Sequence, residues 1–245
     1  MDSGARSLAA IFGESWRLFV RNPLIVVPGI VIALFARVFQ VMVLPGPDAT
    51  PAEKIVGTVI IDVIQLLASV VSIAFTTGMA AVAWKSGHCT LSDGWRAFAR
   101  DGGQVLVALV GLLLIATGAA FLFPFTFGLS ALAFGFFCLY VMAAAIVGER
   151  QGVAAIRESW QLAYDRVLPT LGIVLGLFFA FAAIGVLAAF LAITPELGPI
   201  PAAIAGALLG AVAIAFGTLV IVGEYNASRA ATLGHPAGSI FRDPS

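Results

Sequence analysis

Six long runs of mostly apolar residues limit what this chain can fold into. We place them at about 24 to 44, 56 to 83, 104 to 122, 126 to 148, 167 to 193 and 201 to 222. A helix needs about 20 such residues to cross the hydrocarbon core of a bilayer. Charged residues make up only 11% of the chain, which is too little for the surface of a water-soluble domain. The sequence therefore predicts an all-α, polytopic membrane protein with six transmembrane helices.

The breaks between the runs differ in basic residues, and this difference predicts the orientation. Three breaks are rich in proline and nearly free of lysine and arginine, namely PGPDATPAEK, FPFTFG and TPELGPIP. The other segments carry 11 of the 13 basic residues, while Lys54 lies on the opposite side and Arg37 inside the first run. Because lysine and arginine are retained on the cytoplasmic side, we expect both termini in the cytoplasm and an inner or plasma membrane location.

A motif of an acid, a small residue and a tryptophan occurs three times. It reads ESWRLF at 14 to 19, DGWRAF at 93 to 98 and ESWQLA at 158 to 163. Each copy precedes two apolar runs, so we predict three repeats of an interfacial amphipathic helix plus a transmembrane hairpin. The units cover about 5–83, 84–148 and 149–225 of a single membrane domain, 1–245, which ends in a short polar tail at 226–245.

The residue types of the motif suit the boundary between lipid and water. The indole ring is apolar but carries an N–H donor, and arginine can meet anionic phosphates. The predicted interfacial anchors are Trp16, Trp95, Trp160, Arg17, Arg96 and Arg157. Apolar positions four before and three after each tryptophan extend this face, namely Phe12, Leu91, Ile156, Phe19, Phe98 and Ala163. The acids Glu14, Asp93 and Glu158 are expected near helix starts. A ligand or partner site on these helices is the alternative interpretation.

The stretch ERQGVAAIRESWQL at 149 to 162 follows one predicted hairpin and opens the next. In this arrangement the chain resembles the membrane domain attached to some glycerophosphoryl diester phosphodiesterases and its stand-alone prokaryotic relatives. The resemblance covers most of the chain as architecture and implies a six-helix membrane module. It does not imply phosphodiesterase activity, because that activity belongs to a separate soluble barrel whose acidic and histidine motifs this sequence lacks.

Polar side chains in the first two runs form a second candidate site. Arg37 and Asp62 each lie seven residues inside their runs, roughly 10 Å below the outer surface. An unpaired charge there costs several kcal/mol, so we predict an ion pair between them. The candidate ligand or ion-pair residues are Arg37, Gln40, Asp62, Gln65 and Ser69, with Ser72 and Thr76 continuing the stripe. The stripe is either a packing seam or the lining of a hydrated cavity.

Sequence signals for catalysis and cofactors are weak. No Walker-type phosphate loop, dinucleotide fingerprint or histidine pair at metal-ligand spacing occurs, so we predict no cofactor and no metal. His88 and Cys89 supply only two of the four ligands that a closed zinc site requires. Cys89 and Cys138 are expected to be free thiols. The net charge of 0 gives no attraction to nucleic acid, and an intramembrane enzyme stays open.

Two functions follow as expectations. The first is a non-catalytic membrane module that organises or binds lipid, or a membrane-protein partner, through the tryptophan helices. The alternative is a transporter or carrier of a small solute or lipid that uses Arg37 and Asp62. Small residues at helical spacing predict close packing in the last two runs, and the same faces could serve a homo-oligomer. These residues are Gly172, Gly176, Ala180, Gly206, Gly210 and Gly217.

Overall fold

The computed structural model describes residues 7–43, 50–126, 128–193 and 199–232. Within these ranges the chain forms nine α-helices and one 3-10 turn, and no strand. The elements are α1 Leu8–Arg21, the 3-10 turn Pro23–Val26, α2 Val27–Val43, α3 Pro51–Ser86, α4 Leu91–Leu122, α5 Leu129–Cys138, α6 Val141–Ile146, α7 Gly152–Asp165, α8 Val167–Ile193 and α9 Pro199–Thr232. The all-α prediction is confirmed.

The number of membrane-spanning candidates agrees with the sequence expectation to within one. Five segments are long and apolar enough to cross a bilayer, with α5 and α6 counted together as Leu129–Ile146. The count becomes six if α1 and the segment Pro23–Ala36, which meet at a bend of 95°, form one broken span. We treat the chain as a multi-pass membrane protein on this basis.

The turn between α4 and α5 has the predicted form of a tight hairpin. The helices end and begin at Leu122 and Leu129, and Gly128 adopts a left-handed φ of 86° that favours glycine. The Ser130 hydroxyl donates to the Ala119 carbonyl at 2.7 Å and so joins the two helices. The other two proline-rich breaks fall largely on residues 44–49 and 194–198, outside the described ranges.

The second motif does not form a separate interfacial helix, contrary to the prediction. Trp95 lies in α4, which continues without a break through the predicted span. In the other two copies a proline ends the helix, because Pro23 disfavours helical geometry at Asn22 and Pro169 clashes with the Asp165 carbonyl four residues earlier. Neither proline has a counterpart in α4, so the helix runs on.

The predicted span at 126 to 148 is divided into α5 and α6 by a serine from another helix. Ser159 of α7 accepts a hydrogen bond from the Tyr140 backbone N–H at 3.1 Å. Its hydroxyl donates to the Phe137 carbonyl at 2.7 Å. Backbone groups freed by a break inside a membrane need such partners, because lipid offers none. The break is therefore stabilised by the docking of α7.

The packed core lies where the three motifs meet, and we call this part the motif end. It comprises α1, residues 91–101 of α4, α7, and the adjoining ends of α3, α6 and α9. Helix α1 packs on α9, the start of α4 packs on α3, and α7 packs on α6, while α3, α6 and α9 contact one another. Helix α9 continues past the predicted start of the polar tail, so that Asn226 and Ser228 are buried in this core.

Small residues contribute unequally to helix packing. A Cβ on Gly217 would lie 2.6 Å from Leu177 of α8, and one on Gly206 would lie 3.3 Å from Ala188, as close packing predicts. The stripe in α8 behaves differently, since Gly172, Gly176 and Ala180 are exposed. A Cβ on Gly172 would lie 3.3 Å from Leu8 of α1, whereas one on Gly176 would meet nothing within 4 Å. Helix α8 buries Ile173 and Val174 within the chain, so the use of the rest of the stripe in close packing stays a prediction.

Candidate functional site

The motif orients each helix by burying the small residue and exposing the tryptophan. Trp16, Trp95 and Trp160 are 58%, 62% and 42% exposed, as an interfacial anchor requires. The residues directly before them are buried, namely Ser15, Gly94 and Ser159. A Cβ on Gly94 would lie 2.4 Å from the Phe75 ring, so a small residue permits the close approach of α4 to α3.

The remainder of the predicted lipid-facing stripe is only partly exposed. Ala163 is fully buried because α7 packs against α4 and α6 as well as facing outward. Phe12 and Phe19 instead surround Phe216 of α9, with ring centroids 6.1 Å away in both cases. The expectation that the acids lie at helix starts holds for Asp93 in the first turn of α4, whereas Glu14 and Glu158 lie in mid-helix.

The same four motif positions line three clefts at the motif end. These positions are two residues before each tryptophan and one, two and five residues after it. In the first cleft, of about 680 Å³, they are Glu14, Arg17, Leu18 and Arg21. In the second, of about 570 Å³, they are Asp93, Arg96, Ala97 and Arg100. In the third, of about 480 Å³, they are Glu158, Gln161, Leu162 and Asp165.

The three clefts differ in charge. The described lining of the first cleft has two arginines and one glutamate, while that of the third has two basic and two acidic residues. The second cleft has the most basic lining, with four basic and two acidic side chains, namely Lys85, Arg96, Arg100, Arg229, Asp93 and Glu149. A formal excess of two positive charges makes the second cleft the best candidate for an anionic ligand.

The two arginines of α4 in the second cleft have different partners. Arg100 binds both carboxylate oxygens of Asp101, at 3.1 and 2.9 Å, and its other nitrogen lies 3.6 Å from Glu149. Arg96 lies 3.2 Å from Asp93, but its side chain is largely exposed. An exposed ion pair of this kind is weak. Arg96 can therefore turn toward a ligand more readily than Arg100.

Asn226 gives the second cleft a buried donor. Its side chain is 6% exposed and lines the cleft, and its amide nitrogen has no hydrogen-bond partner among the described residues. Buried amide N–H groups almost always have an acceptor. The apolar part of the lining comes from the last turns of α3 and the end of α6, and includes Gly78, Val82 and Ile146. The cleft thus joins donors and positive charge to an apolar wall.

The third cleft contains a network that already satisfies its carboxylate. Glu158 forms an ion pair with Arg150, accepts a hydrogen bond from the Tyr225 hydroxyl at 2.6 Å, and lies 3.5 Å from Arg229. The hydrogen bond that Arg150 donates to Glu158, together with the negative charge of Glu158, raises the pKa of Arg150 and keeps that guanidinium protonated. This network leaves the third cleft nearly neutral and internally bonded.

The residue six positions after each tryptophan connects its helix to the region at the end of the second membrane segment that follows it in the chain. Asn22 donates to the Gly87 carbonyl at 3.1 Å and accepts from the Cys89 N–H at 2.8 Å. Asp101 accepts hydrogen bonds from Arg100, and Arg100 in turn donates to the Ile146 carbonyl at 3.4 Å. The third case is the ion pair of Arg166 and Glu224 at 3.0 Å.

Sequence reasoning missed this connection because the three residue types differ. The tripeptide VGE, which occurs at 147–149 and again at 222–224, was the available signal, since Glu149 meets Arg100 and Glu224 meets Arg166. The structure has Cys89 and Cys138 as free thiols, as predicted. Burial raises the pKa of the Cys89 thiol to about 11, so the thiol stays neutral at physiological pH.

The predicted polar stripe is described only in part. Arg37, Gln40 and Asp62 lie in α2 and α3, but their side chains are outside the described part of the chain, so the predicted ion pair stays a prediction. Gln65 and Ser69 line a cleft of about 260 Å³ between α2, α3 and α9, which we call the membrane cleft.

Among the predicted anchors, Arg17 and Arg96 line motif-end clefts, whereas Arg157 is exposed and lines none of the three.

No protein-family model matches the chain, and comparison with curated proteins and with solved structures likewise finds no match.

Proposed function

We propose that the protein is a non-catalytic membrane module that binds an anionic lipid headgroup in the second cleft. The observation that carries this proposal is the buried amide nitrogen of Asn226, which has no hydrogen-bond partner among the described residues and lies in the most basic of the three clefts. A lipid phosphate offers acceptor oxygens to that amide and negative charge to Arg96 and Arg229. Hydrogen bonds of this charge-assisted kind are stronger than neutral ones.

A lipid is favoured over a soluble anion by the position of the cleft. Part of its apolar wall belongs to the last turns of α3, a helix long and apolar enough to cross a membrane. Acyl chains can therefore continue along α3 when the phosphate lies beside Asn226. The exposed ring of Trp95 lies on the same helix as Arg96 and fits the headgroup region, where tryptophan is enriched.

The repeat and the orientation belong to the same proposal. We propose three units at about 5–83, 84–148 and 149–225, each with a motif helix and a hairpin, and both termini in the cytoplasm. Each motif helix packs on the last helix of another unit, α1 on α9, α4 on α3 and α7 on α6, and this regular arrangement supports the repeat. The nearly equal backbone angles at Asn22 (φ −126°, ψ 62°) and Arg166 (φ −131°, ψ 52°) also support it. In this orientation the clefts face the leaflet where anionic lipids are concentrated.

Lipid retention by the full-length protein tests the proposal. Native mass spectrometry in detergent, with dioleoylphosphatidylglycerol or dioleoylphosphatidylcholine added, measures the affinity for each lipid. We expect a preference for the anionic lipid, and Asn226→Leu should weaken its binding about fivefold to tenfold, the loss expected for one buried hydrogen bond.

Matched charge removal identifies which cleft is responsible. Lys85→Gln with Arg96→Gln removes two charges from the second cleft, and Arg17→Gln with Arg21→Gln removes two from the first. Only the double substitution in the second cleft should abolish the preference for phosphatidylglycerol. Equal losses from both pairs, or a wild type that retains both lipids equally, would exclude a specific headgroup site in the second cleft.

Transport is the second candidate function, and the membrane cleft is the observation that favours it. The predicted pair of Arg37 and Asp62 would lie on the same two helices, α2 and α3, as this cleft. Asp62→Asn alone should lower the yield of folded protein, and Arg37→Gln made together with it should restore part of the loss. Losses that simply add would show that the two side chains do not interact.

A further inference from the structure

The membrane cleft has an apolar wall with a few polar groups and no charged side chain among its described lining residues. Helices α2, α3 and α9 supply mostly glycine, alanine and isoleucine to it, while the polar groups are Gln65, Ser69 and Ser72. The helices approach closely at one edge, where a Cβ on Gly29 would lie 3.0 Å from that of Ala211. At Gly210 a Cβ would meet nothing within 4 Å, so the space there is open.

Ser72 is the unsatisfied group of this cleft. Its side chain is 2% exposed, and its hydroxyl has no hydrogen-bond partner in the described structure. Hydroxyls in membrane helices usually bond to the carbonyl four residues earlier, as Ser69 does to Gln65 and Thr77 does to Ile73, both at 2.7 Å. The Ser72 hydroxyl does not make this bond and lies at the wall of a space of about 260 Å³.

The cleft lies toward the membrane boundary opposite the motif end. With about 1.5 Å of rise per residue, Ser72 is roughly 20 Å along α3 from Lys85, and Gln65 is roughly 30 Å from it. The hydrocarbon core is about 30 Å thick. If Lys85 marks one boundary, Ser72 lies about 10 Å inside the other. If the outer boundary is instead the start of the apolar run near residue 56, as placed from the sequence, Ser72 lies roughly 24 Å inside it. On both placements Ser72 is within the hydrocarbon core, where a charge is costly, so the position suits an uncharged headgroup rather than a phosphate.

We propose that the membrane cleft binds the free hydroxyl of an uncharged lipid of the diacylglycerol class. A hydroxyl both donates and accepts, so it can pair with the Ser72 oxygen and with the carboxamide of Gln65. The volume of about 260 Å³ holds roughly eight water-sized groups, enough for a glycerol headgroup but not for an acyl chain. The lipid enters from the bilayer, because Ser69 at the edge of the cleft is exposed.

The site is separate from the second cleft in residues, depth and ligand charge. Asn226 and the basic residues of the motif end do not line it. Its occupant needs no negative charge, since the described lining offers no cation to neutralise one. The two proposals can therefore succeed or fail independently.

The test compares two lipids that differ in whether one hydroxyl is free or acetylated. Native mass spectrometry of the full-length protein is recorded with 1,2-dioleoylglycerol and with the same lipid acetylated at its free hydroxyl. We expect the wild type to bind the free hydroxyl form about fivefold to tenfold more tightly. Ser72→Ala should reduce this preference to less than twofold, because it removes the paired oxygen.

Two further variants control for folding and for general lipid binding. Thr77→Val removes a hydroxyl that bonds within its own helix and does not line the cleft, so the preference should persist. Gly210→Leu places a side chain in the open space and should weaken binding of the free hydroxyl form. Equal affinity of the wild type for the two lipids overturns the proposal, and so does an unchanged preference in Ser72→Ala. Asn226→Leu should leave this preference intact while it weakens phosphatidylglycerol binding.

Discussion

The motif end and the opposite half of the bundle hold their helices together by different means. At the motif end, side chains join one helix to another, as when Trp84 donates to the Leu219 carbonyl at 2.8 Å. In the opposite half, hydroxyls such as that of Thr117 bond within their own helix, and large apolar side chains such as Phe121 are exposed. The bond from Ser130 to the Ala119 carbonyl at the hairpin is an exception. Directional bonds between helices therefore specify the arrangement chiefly at the motif end.

The largest effect should come from breaking the buried ion pair of the motif end. Glu224 is 0% exposed and Arg166 21%. Arg166→Gln leaves a buried carboxylate without its cation, and removal of one partner of such a pair costs about 3 to 5 kcal/mol. Equilibrium unfolding in mixed micelles measures the loss in free energy of unfolding.

Two variants sharpen this comparison. Glu224→Gln added to Arg166→Gln should recover most of the stability, because no isolated charge remains. Arg96→Gln breaks an exposed pair and should cost less than about 1 kcal/mol. A double variant as unstable as Arg166→Gln would mean that the pair is not the source of the effect.

The second prediction concerns glycines at the two ends. A Cβ on Gly78 would lie 2.4 Å from the Cβ of Ala97, so Gly78→Ala forces α3 and α4 apart. Such overpacking costs about 1 to 3 kcal/mol. Gly118 lies in the opposite half, where a Cβ meets nothing within 4 Å, and Gly118→Ala should be neutral or slightly stabilising. Thermal unfolding in detergent compares them, and equal shifts would contradict the proposed difference between the ends.

The third prediction removes the serine that satisfies the break between α5 and α6. Ser159→Ala deletes two hydrogen bonds to backbone groups and should cost about 1 to 2 kcal/mol. Thr117→Val deletes one bond within an exposed helix face and should cost less than about 0.5 kcal/mol. The same unfolding assay serves both variants, and a smaller loss in Ser159→Ala than in Thr117→Val would refute the role of Ser159.

The smallest effect concerns the reactivity of the Cys89 thiol rather than the stability of the fold. With a pKa of about 11, roughly one Cys89 thiol in a thousand is ionised at pH 8, and the thiolate is the reactive form. In a Cys138→Ala background, iodoacetamide should modify Cys89 far more slowly than a cysteine introduced at the exposed Ser92. The rate should rise about tenfold per pH unit below the pKa. Equal rates at pH 8 for both positions would show that Cys89 is accessible and ionised.

The membrane helices were predictable because apolar length is a local property of the sequence. The hairpin at the break FPFTFG was predictable for the same reason, since its turn residues Pro124 and Gly128 lie only four positions apart in the chain. The continuity of α4 was not recognised, although the absence of a proline equivalent to Pro23 or Pro169 was the available signal. Similar motifs therefore led to an expectation of identical helices where the flanking residues differ.

The site was harder to predict because its partners lie far apart in sequence. Asn226 was assigned to a polar tail, and only the packing of α9 against α3 and α6 shows that it is buried beside basic residues of α4. Arg17 and Arg96 were singled out for charge alone, and both line clefts. The motif was informative about a surface, but two polar residues of that surface, Asn226 and Arg229, came from α9.

The serine that divides α5 from α6 also imposes an order on biogenesis. Ser159 lies C-terminal to the helices it separates, so the Leu129–Ile146 segment leaves the ribosome before the group that satisfies its break. Until α7 is made, exposing the backbone groups of Phe137 and Tyr140 to lipid would be costly. We therefore expect this segment to enter the bilayer as one continuous helix and to acquire its break when α7 docks.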